Sequence, residues 1–255
     1  LLEAPGVGRE SARRLLAAFG TPQGVFDAPL SALRTVVGGP VATALISRQP
    51  ELDALIVATL RWLNDASEEA PHDVVTLGDG RYPSTLLNTA DPPLLLYTQG
   101  RCDWLGCESL AIVGSRNPSA QGLENARAFS RSLSQAGLTV VSGLALGIDG
   151  AAHEGGLEGP GSTMAVLGTG LDQVYPRRHQ ALARRIAAHG LLVSEFSLGT
   201  PPLPPHFPMR NRIIAGLARG TLVVEAALKS GSLITARMAL EGGRDVYAIP
   251  GSIHA

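Results

Sequence analysis

Two arginines that flank an asparagine, and a Gly-Ser turn, lie within one stretch of the chain, from Pro208 to Gly251. The Arg-Asn-Arg sequence 210–212 starts an apolar helical segment, and Lys-Ser-Gly-Ser at 229–232 starts a second one after a short strand-like run. A guanidinium group presents a planar fork of donors that suits phosphate. Backbone N–H groups at a Gly- and Ser-rich helix start attract anions. This order of residue types predicts a phosphate-binding region.

Small residues and arginines also follow the other strand-like runs. Ligands of open parallel sheets bind beyond the carboxyl ends of the strands, so we expect the residues that follow these runs to meet at one edge, which we call the phosphate rim. Its predicted members are Gly114, Ser115, Arg116, Ser142, Gly143, Gly168, Gly170, Arg177, Arg178, Phe207, Arg210, Asn211, Arg212, Lys229, Ser230, Gly231 and Ser232.

The arginines of the phosphate rim are open to different interpretations. Arg116 follows Gly-Ser, and we expect its guanidinium to form a phosphate pocket with the amides of those two residues; the alternative is a structural salt bridge. Arg210 and Arg212 point in different directions on a helix. One would then face the rim, while the other would pair with an acid such as Glu225. Phe207 is either a core residue or a platform on which a base stacks.

The acidic and histidine side chains near the rim do not have the spacing of a catalytic or metal site. They are Asp149, His153, Glu154, Glu195 and Glu225. His153-Glu154 lacks the second histidine of a zinc-protease helix, and the chain has neither a Walker lysine loop nor G-x-G-x-x-G after the first strand of the repeating pattern. We interpret the acids as helix caps or arginine partners, and we expect no enzymatic activity, no cofactor and no metal.

Strand-like and helical segments alternate from Leu110 onward. The strand-like runs are LAIVG, LTVVSG, TMAVLG, LLVSE, TLVVE and DVYAI, with a further short strand at 94–97. Short, continuous, β-branched runs are typical of a parallel sheet covered on both faces. The alternation predicts a doubly wound, mainly parallel α/β fold.

Residues 1–70 have helical spacing and predict a small all-α domain, which leaves 71–255 for the α/β domain. Near its start, Pro5-Gly6-Val7-Gly8 precedes a helical segment, as in helix-hairpin-helix modules. Such a turn either holds a DNA phosphate through its amides or only joins two helices, and both interpretations stay open.

The composition limits the class of protein. A net charge of −1 gives the molecule no general basic field, so any nucleic-acid site must be local. No apolar run approaches the ~18 residues of a membrane span. Cys102 and Cys107, without a signal peptide or further cysteines, predict reduced thiols in a cytoplasmic protein, and too few ligands lie near them for zinc.

Five motifs in order resemble the DprA/Smf family, the DNA-processing proteins of bacteria. The motifs are GSR at 114–116, SGLALGID at 142–149, AVLGTGLDQVYP at 165–176, FPMRNRIIAGL at 207–217 and SGSLITA at 230–236. The resemblance extends from about Thr76 to the end of the chain, and residues 1–70 resemble the sterile-alpha-motif-like domain that precedes the core in many members. Many members also continue into a winged-helix domain, which would follow Ala255.

The resemblance implies an extended Rossmann-like fold and sequence-independent binding of single-stranded DNA at the phosphate rim. It also implies that the protein protects incoming DNA and helps to load RecA on it during natural transformation. The family's basic positions carry over to Arg116 and Arg177. A lysine that some members have before the Phe-x-x-Arg-Asn-Arg motif is replaced here by Pro-Leu-Pro-Pro-His at 202–206.

The same resemblance implies a homodimer through the last strands and helices of the α/β domain, near Leu233 to Ile249. The apolar sequence ITARMAL is consistent with such an interface, and the alternative is that its residues belong to the core between helix and sheet. Two alternatives to a DNA-binding protein remain. The segment SGSLITARMALE is distantly similar to the glycine turn of nucleotide-cleaving phosphoribohydrolases, with Glu241 as the acid, although the full glycine turn is missing. The other alternative is an adaptor that binds only a partner protein.

Overall fold

The computed structural model describes residues 1–47, 50–228 and 230–250. Lys229, a predicted member of the phosphate rim, lies outside the described residues. The chain divides into two compact units, Leu1–Arg61 and a second that begins at Trp62. Trp62 belongs to the second unit because its ring stacks on His72 at 4.1 Å and meets Tyr97 edge-on at 6.1 Å. The predicted domain division at residue 70 stays a prediction.

The first unit is helical. Its helices are α1 (Arg9–Phe19), α2 (Pro22–Asp27), α3 (Leu30–Val37), α4 (Gly39–Ile46) and most of α5 (Pro50–Asn64). Gly6 adopts a left-handed conformation with φ +78° in the turn before α1, and the Oγ1 of Thr21 caps α2 by accepting from the Gly24 amide at 3.0 Å. Leu15 and Leu33 are fully buried and form part of the core between the helices.

The second unit alternates strands with helices. Its strands are β1 (His72–Thr76), β2 (Leu95–Gly100), β3 (Ser109–Val113), β4 (Thr139–Ser142), β5 (Thr163–Val166), β6 (Leu191–Ser194), β7 (Gly220–Val223) and β8 (Asp245–Ala248). Its helices are α6 (Ser84–Leu87), α7 (Ala120–Gln135), α8 (Ile148–Gly156), α9 (Gln180–His189), α10 (His206–Leu217) and α11 (Gly231–Glu241), with short 3₁₀ turns at Cys102–Gly106 and Arg177–His179.

The strands form one sheet in the order β1-β2-β6-β5-β4-β3-β7-β8. Strands β3 to β8 are parallel, which confirms the predicted doubly wound α/β fold. Strands β1 and β2 add an antiparallel edge. Strand β1 is not predicted from the sequence, because Pro71 before it and Gly78-Asp79-Gly80 after it indicate a loop.

Helices cover both faces of the sheet. One face packs against α6, α10 and α11, and the other against α7, α8 and α9. Neighbouring residues of β3 illustrate the alternation: Val113 contributes to the first core, while Ile112 contributes to the second. With both faces buried, the carboxyl edge of the parallel strands is the place where loops can form a site.

The described residues contain no helix that is long and apolar enough to cross a membrane. In the same part of the chain, no group of three or more His, Cys, Asp or Glu side chains could hold a metal ion. Both cysteines are free thiols.

Candidate nucleic-acid interface

The sheet has a topological switch point at β3. The chain proceeds from β3 to β4 on one side and returns later to place β7 on the other, so the loops after β3 and β7 diverge and leave a crevice. A cleft of about 480 Å³ lies there. Its lining combines three loops with the starts of two helices: Val113, Gly114, Ser115, Arg116, Ala145, Asp149, Phe207, Pro208, Arg210, Asn211, Ile214, Ala227, Ser230, Gly231, Ser232, Ile234 and Thr235.

The loop after β3 is held by its own backbone. The Ser115 amide donates to the carbonyl of Glu225 at 2.7 Å, and the Ser115 carbonyl accepts from the Ile148 amide at 3.1 Å. Gly114 has no room for a side chain, since a Cβ there would lie 2.6 Å from Cγ1 of Ile148. The prediction that the Ser115 amide is available to a phosphate is therefore wrong, because a neighbouring strand end already uses it.

Arg116 is exposed at the mouth of the cleft and forms no ion pair within the described residues. Its guanidinium carbon lies 5.7 Å from the centre of the Phe207 ring, within cation–π range. Tyr175 approaches the same ring at 5.6 Å, and a Cβ on Gly168 would lie 3.1 Å from it. Arg116 and Phe207 therefore present a cation and an aromatic face together at the opening.

Arg210 is buried deep in the cleft, with only 4 % of its surface exposed. Its Nε is buried and has no hydrogen-bond partner within the described residues. Burial lowers the pKa of Arg210 to about 10, although the nearby Asp149 carboxylate opposes that shift. The group stays protonated at neutral pH, so the cleft contains a largely buried cation whose Nε lacks a hydrogen-bond acceptor in the described residues.

Asp149 is the counter-charge of Arg210. Its Oδ2 accepts from the amides of Gly143 at 3.1 Å and Ala145 at 3.3 Å. Burial raises the pKa of Asp149, while the Arg210 guanidinium and the two amides act in the opposite direction. Asp149 is predicted to be an arginine partner or a helix cap, and the structure places it beside Arg210 without a direct ion pair in the described residues.

Arg212 is held by acidic partners rather than facing the cleft. It forms ion pairs with Glu195 and with Asp91, and it also donates to the Asp91 carbonyl at 2.7 Å. Glu225, the expected partner, instead holds Ser119, the N-cap residue of α7, by accepting from its amide and hydroxyl at 3.0 and 2.6 Å. The prediction that one arginine of the pair meets an acid holds in geometry, but the acid is not Glu225.

The start of α11 forms the opposite wall of the cleft. The Ser230 hydroxyl accepts from the Ser232 amide at 3.3 Å, and the Asn211 side chain donates to the Gly231 carbonyl at 3.3 Å. Ile234 and Thr235 also line the cleft, and the sequence analysis missed them. Helical spacing from Gly231 was a signal that could have found them, because residues three and four positions apart share a face.

Other predicted rim residues lie outside the cleft lining. The Ser142 hydroxyl is fully buried and donates to the Ile112 carbonyl at 2.6 Å, and the Gly170 amide donates to the Thr200 carbonyl at 3.0 Å. Arg177 and Arg178 are exposed on a 3₁₀ turn. Arg178 lines a second cavity of about 680 Å³ between α7, α8 and α9.

Comparison with known proteins decides the family. Residues 73–255, which include every element of the cleft, match the family DNA recombination-mediator protein A. The chain belongs to this family. The resemblance seen in the five motifs is thereby confirmed.

Members of the family from several bacteria are similar to the chain. Protein Smf of Escherichia coli is 49% identical over 199 residues, which are 78% of this chain and 52% of that protein. DNA processing protein DprA of Streptococcus pneumoniae is 49% identical over 175 residues, which are 69% of this chain and 62% of that protein. The chain thus spans between about half and two thirds of the length of these relatives.

Two solved structures of DprA proteins resemble this fold. The DprA structure from Streptococcus pneumoniae matches with a TM-score of 0.85 and 37% identity over 99% of this chain and 85% of that chain. A Helicobacter pylori DprA structure, described by its single-stranded DNA binding mode, matches with a TM-score of 0.65 and 31% identity over 71% of this chain and 82% of that chain.

The close approach of Gly143 to Arg210 predicts that a side chain at position 143 destabilises the protein. A Cβ at position 143 would lie 1.5 Å from Nη1 of Arg210, so Gly143→Ala must displace the buried guanidinium. We expect a loss of about 1–3 kcal/mol in unfolding free energy, as for an overpacked core, measured by urea denaturation. Gly231→Ala is the matched control in the same cleft, because nothing lies within 4 Å of its added Cβ. Equal stability of the Gly143→Ala and wild-type proteins would contradict the placement of Arg210.

Proposed function

We propose that the protein binds single-stranded DNA in the cleft at the switch point, without reading a base sequence. The observation that carries the proposal is the pair of arginines in one cleft. Arg116 is exposed beside an aromatic ring, and Arg210 is buried with its Nε unpaired among the described residues. A buried N–H donor without an acceptor is costly, and an acceptor-rich ligand removes that cost.

The chemistry of the cleft suits a single strand better than a duplex. Phosphates supply most of the affinity in sequence-independent binding, and aromatic rings stack on bases that a duplex would keep paired. Phe207 and Arg116 offer these two contacts side by side. With a net charge of −1, binding has to come from this local site rather than from a general field.

The relatives support the same proposal. The Helicobacter pylori DprA structure is described by its single-stranded DNA binding mode, and the family description names a recombination mediator. We therefore include in the proposal that the bound strand is protected and passed to RecA during transformation. These finer steps rest on the family resemblance.

A comparison of single-stranded with double-stranded DNA tests the proposal. Equal-length single- and double-stranded oligonucleotides of several sequences are titrated in a gel-shift assay over a salt series. We expect preference for the single strand, similar affinity for all unstructured sequences, and affinity that falls as salt rises. Tight duplex binding at one preferred sequence would refute the proposal.

We further propose that the protein forms a homodimer through α11 and β8. Strand β8 lies at the edge of the sheet. Apolar side chains in this last part of the chain are exposed: Leu228, Leu233, Leu240 and Tyr247. Leu233 and Leu240 are seven positions apart and share one face of α11, so a second copy of the chain can cover them with the edge strand.

The dimer proposal predicts that Leu240→Asp shifts the protein to a monomer, because burying a carboxylate in an apolar interface is unfavourable. Light scattering at micromolar concentration should report a dimer for the wild type and a monomer for this variant. Phe129→Asp is the matched control, since Phe129 is an exposed apolar residue on α7 and its replacement should leave the dimer intact. A monomeric wild type would contradict the proposal.

The phosphoribohydrolase alternative gains no support from the cleft. It requires Glu241 as the acid, but Glu241 ends α11 at the opposite end from the cleft and is exposed. We propose a binding protein without enzymatic activity. Incubation with nucleoside monophosphates followed by an assay for free base tests this, and release of base would favour the alternative.

A further inference from the structure

Leu144 has an unusual backbone conformation beside the cleft. Its φ of 59° lies in the left-handed region, and its side chain is fully buried. A residue with a Cβ adopts this region at a cost, and such conformations concentrate at functional sites where the surroundings hold them.

Two histidines hold Leu144, one at each of its backbone polar groups. The Leu144 amide donates to Nε2 of His153 at 3.2 Å, and the Leu144 carbonyl accepts from Nδ1 of His179 at 2.9 Å. Nδ1 of His153 donates in turn to the Thr163 hydroxyl at 2.7 Å, which donates to the Val140 carbonyl at 2.7 Å. Burial lowers the pKa of His153 to about 3, with smaller contributions from His179 and Arg210, so His153 is neutral and keeps this pattern.

Leu144 lies between two residues that shape the floor of the cleft. The amides of Gly143 and Ala145 hold the Asp149 carboxylate. Gly143 also leaves the space that the Arg210 guanidinium occupies. Leu144, which His153 also holds, is therefore a fixed point beside the floor of the cleft.

His179 connects this floor to the exposed arginines. Arg177 and Arg178 lie between Tyr175 and His179 in the chain. Tyr175 contacts the Phe207 ring at one end of this segment, and His179 bonds to Leu144 at the other. The His179 ring fits because Gly150 has no side chain: a Cβ there would lie 2.7 Å from the ring. The segment is thus anchored to the cleft at both ends.

We propose that His179 is a positioning residue of the DNA site, which fixes Arg177 and Arg178 relative to the cleft through its bond to Leu144. This inference rests on the proposed function. It adds to the DNA site a residue, His179, that acts without contacting the DNA itself. Without this bond the two arginines remain charged but are free to move, so more conformational entropy is lost when they bind phosphate.

The test compares two substitutions of His179 by single-stranded DNA affinity. His179→Leu removes the donor and should weaken binding about three- to tenfold. His179→Asn, whose amide nitrogen can take the place of Nδ1, should restore most of the affinity. Equal affinity of wild type and His179→Leu would overturn the proposal, as would equal losses in the two variants. If His179→Leu does not fold, His179→Ala makes the same comparison without added bulk.

A double-mutant cycle separates positioning from general damage. In a background of Arg177→Ala and Arg178→Ala, His179→Leu should cause no further loss of affinity, because the groups that it positions are absent. A loss that adds in full to that of the arginine substitutions would show a merely structural role and overturn the proposal. Failure of the proposed function is distinct, since the wild type itself would then not bind the single strand.

Discussion

Arg116→Ala should weaken the binding of single-stranded DNA by roughly ten- to a hundredfold while the fold stays intact. The loss of one charge-assisted contact to phosphate is worth about 1.5–3 kcal/mol, which corresponds to that range of affinity. Arg116 is exposed and forms no ion pair in the described part of the chain, so its removal breaks no structural bridge. Because the contact is to phosphate, the loss should be similar for all sequences, and the salt slope should become shallower by about 0.7.

The control for this experiment is another exposed arginine. Arg184 lies on α9, outside the cleft, and Arg184→Ala should leave the affinity and the salt slope nearly unchanged. Arg177→Ala should give a smaller loss than Arg116→Ala, because Arg177 does not line the cleft. A lower melting temperature of Arg116→Ala with unchanged affinity of the folded protein would mean that Arg116 is structural, and would refute the assignment of the cleft.

Glu195→Ala should lower the free energy of unfolding by about 2–3 kcal/mol. The Glu195 and Arg212 side chains form an ion pair with only 6% and 13% of their surfaces exposed. Removing one partner of a buried pair leaves a poorly solvated charge, which typically costs about 3–5 kcal/mol. The expected loss is smaller here because Asp91 still pairs with Arg212. Urea denaturation monitored by circular dichroism measures the change.

The matched control is an exposed ion pair of the same chemistry. Glu108 and Arg219 are joined by two hydrogen bonds, but more than half of each side chain is exposed. Glu108→Ala should therefore change stability very little, because solvent screens such pairs. Similar losses of unfolding free energy in Glu195→Ala and Glu108→Ala would contradict the prediction that burial makes the Glu195–Arg212 pair more important for stability.

The parallel part of the fold could be predicted from sequence because its signal is local. Continuous apolar runs such as LAIVG and TLVVE became the buried strands β3 and β7. Strand β1 could not be predicted in the same way. Only Val75 of its residues is fully buried, and its pairing with β2 is antiparallel and lies at the sheet edge.

The site was predicted less completely because it depends on contacts between distant segments. Spacing shows that Arg210 and Arg212 point in different directions, but only the fold places Glu195 and Asp91 beside Arg212 and leaves Arg210 in the cleft. The use of the Ser115 amide by Glu225 follows from β7 lying beside β3. The residue spacing within either segment does not predict that β3 and β7 are neighbours in the sheet.

Photo-cross-linking tests most directly the claim that single-stranded DNA occupies the cleft. A short single-stranded oligonucleotide that contains 5-iododeoxyuridine is irradiated with the wild-type protein, and the adducts are located by peptide mass spectrometry. The account predicts adducts on Phe207 and Tyr175, the aromatic residues at the cleft mouth, and a loss of both adducts in Arg116→Ala. Adducts confined to Leu1–Arg61, or to the exposed surfaces of α7 and α8, would contradict it.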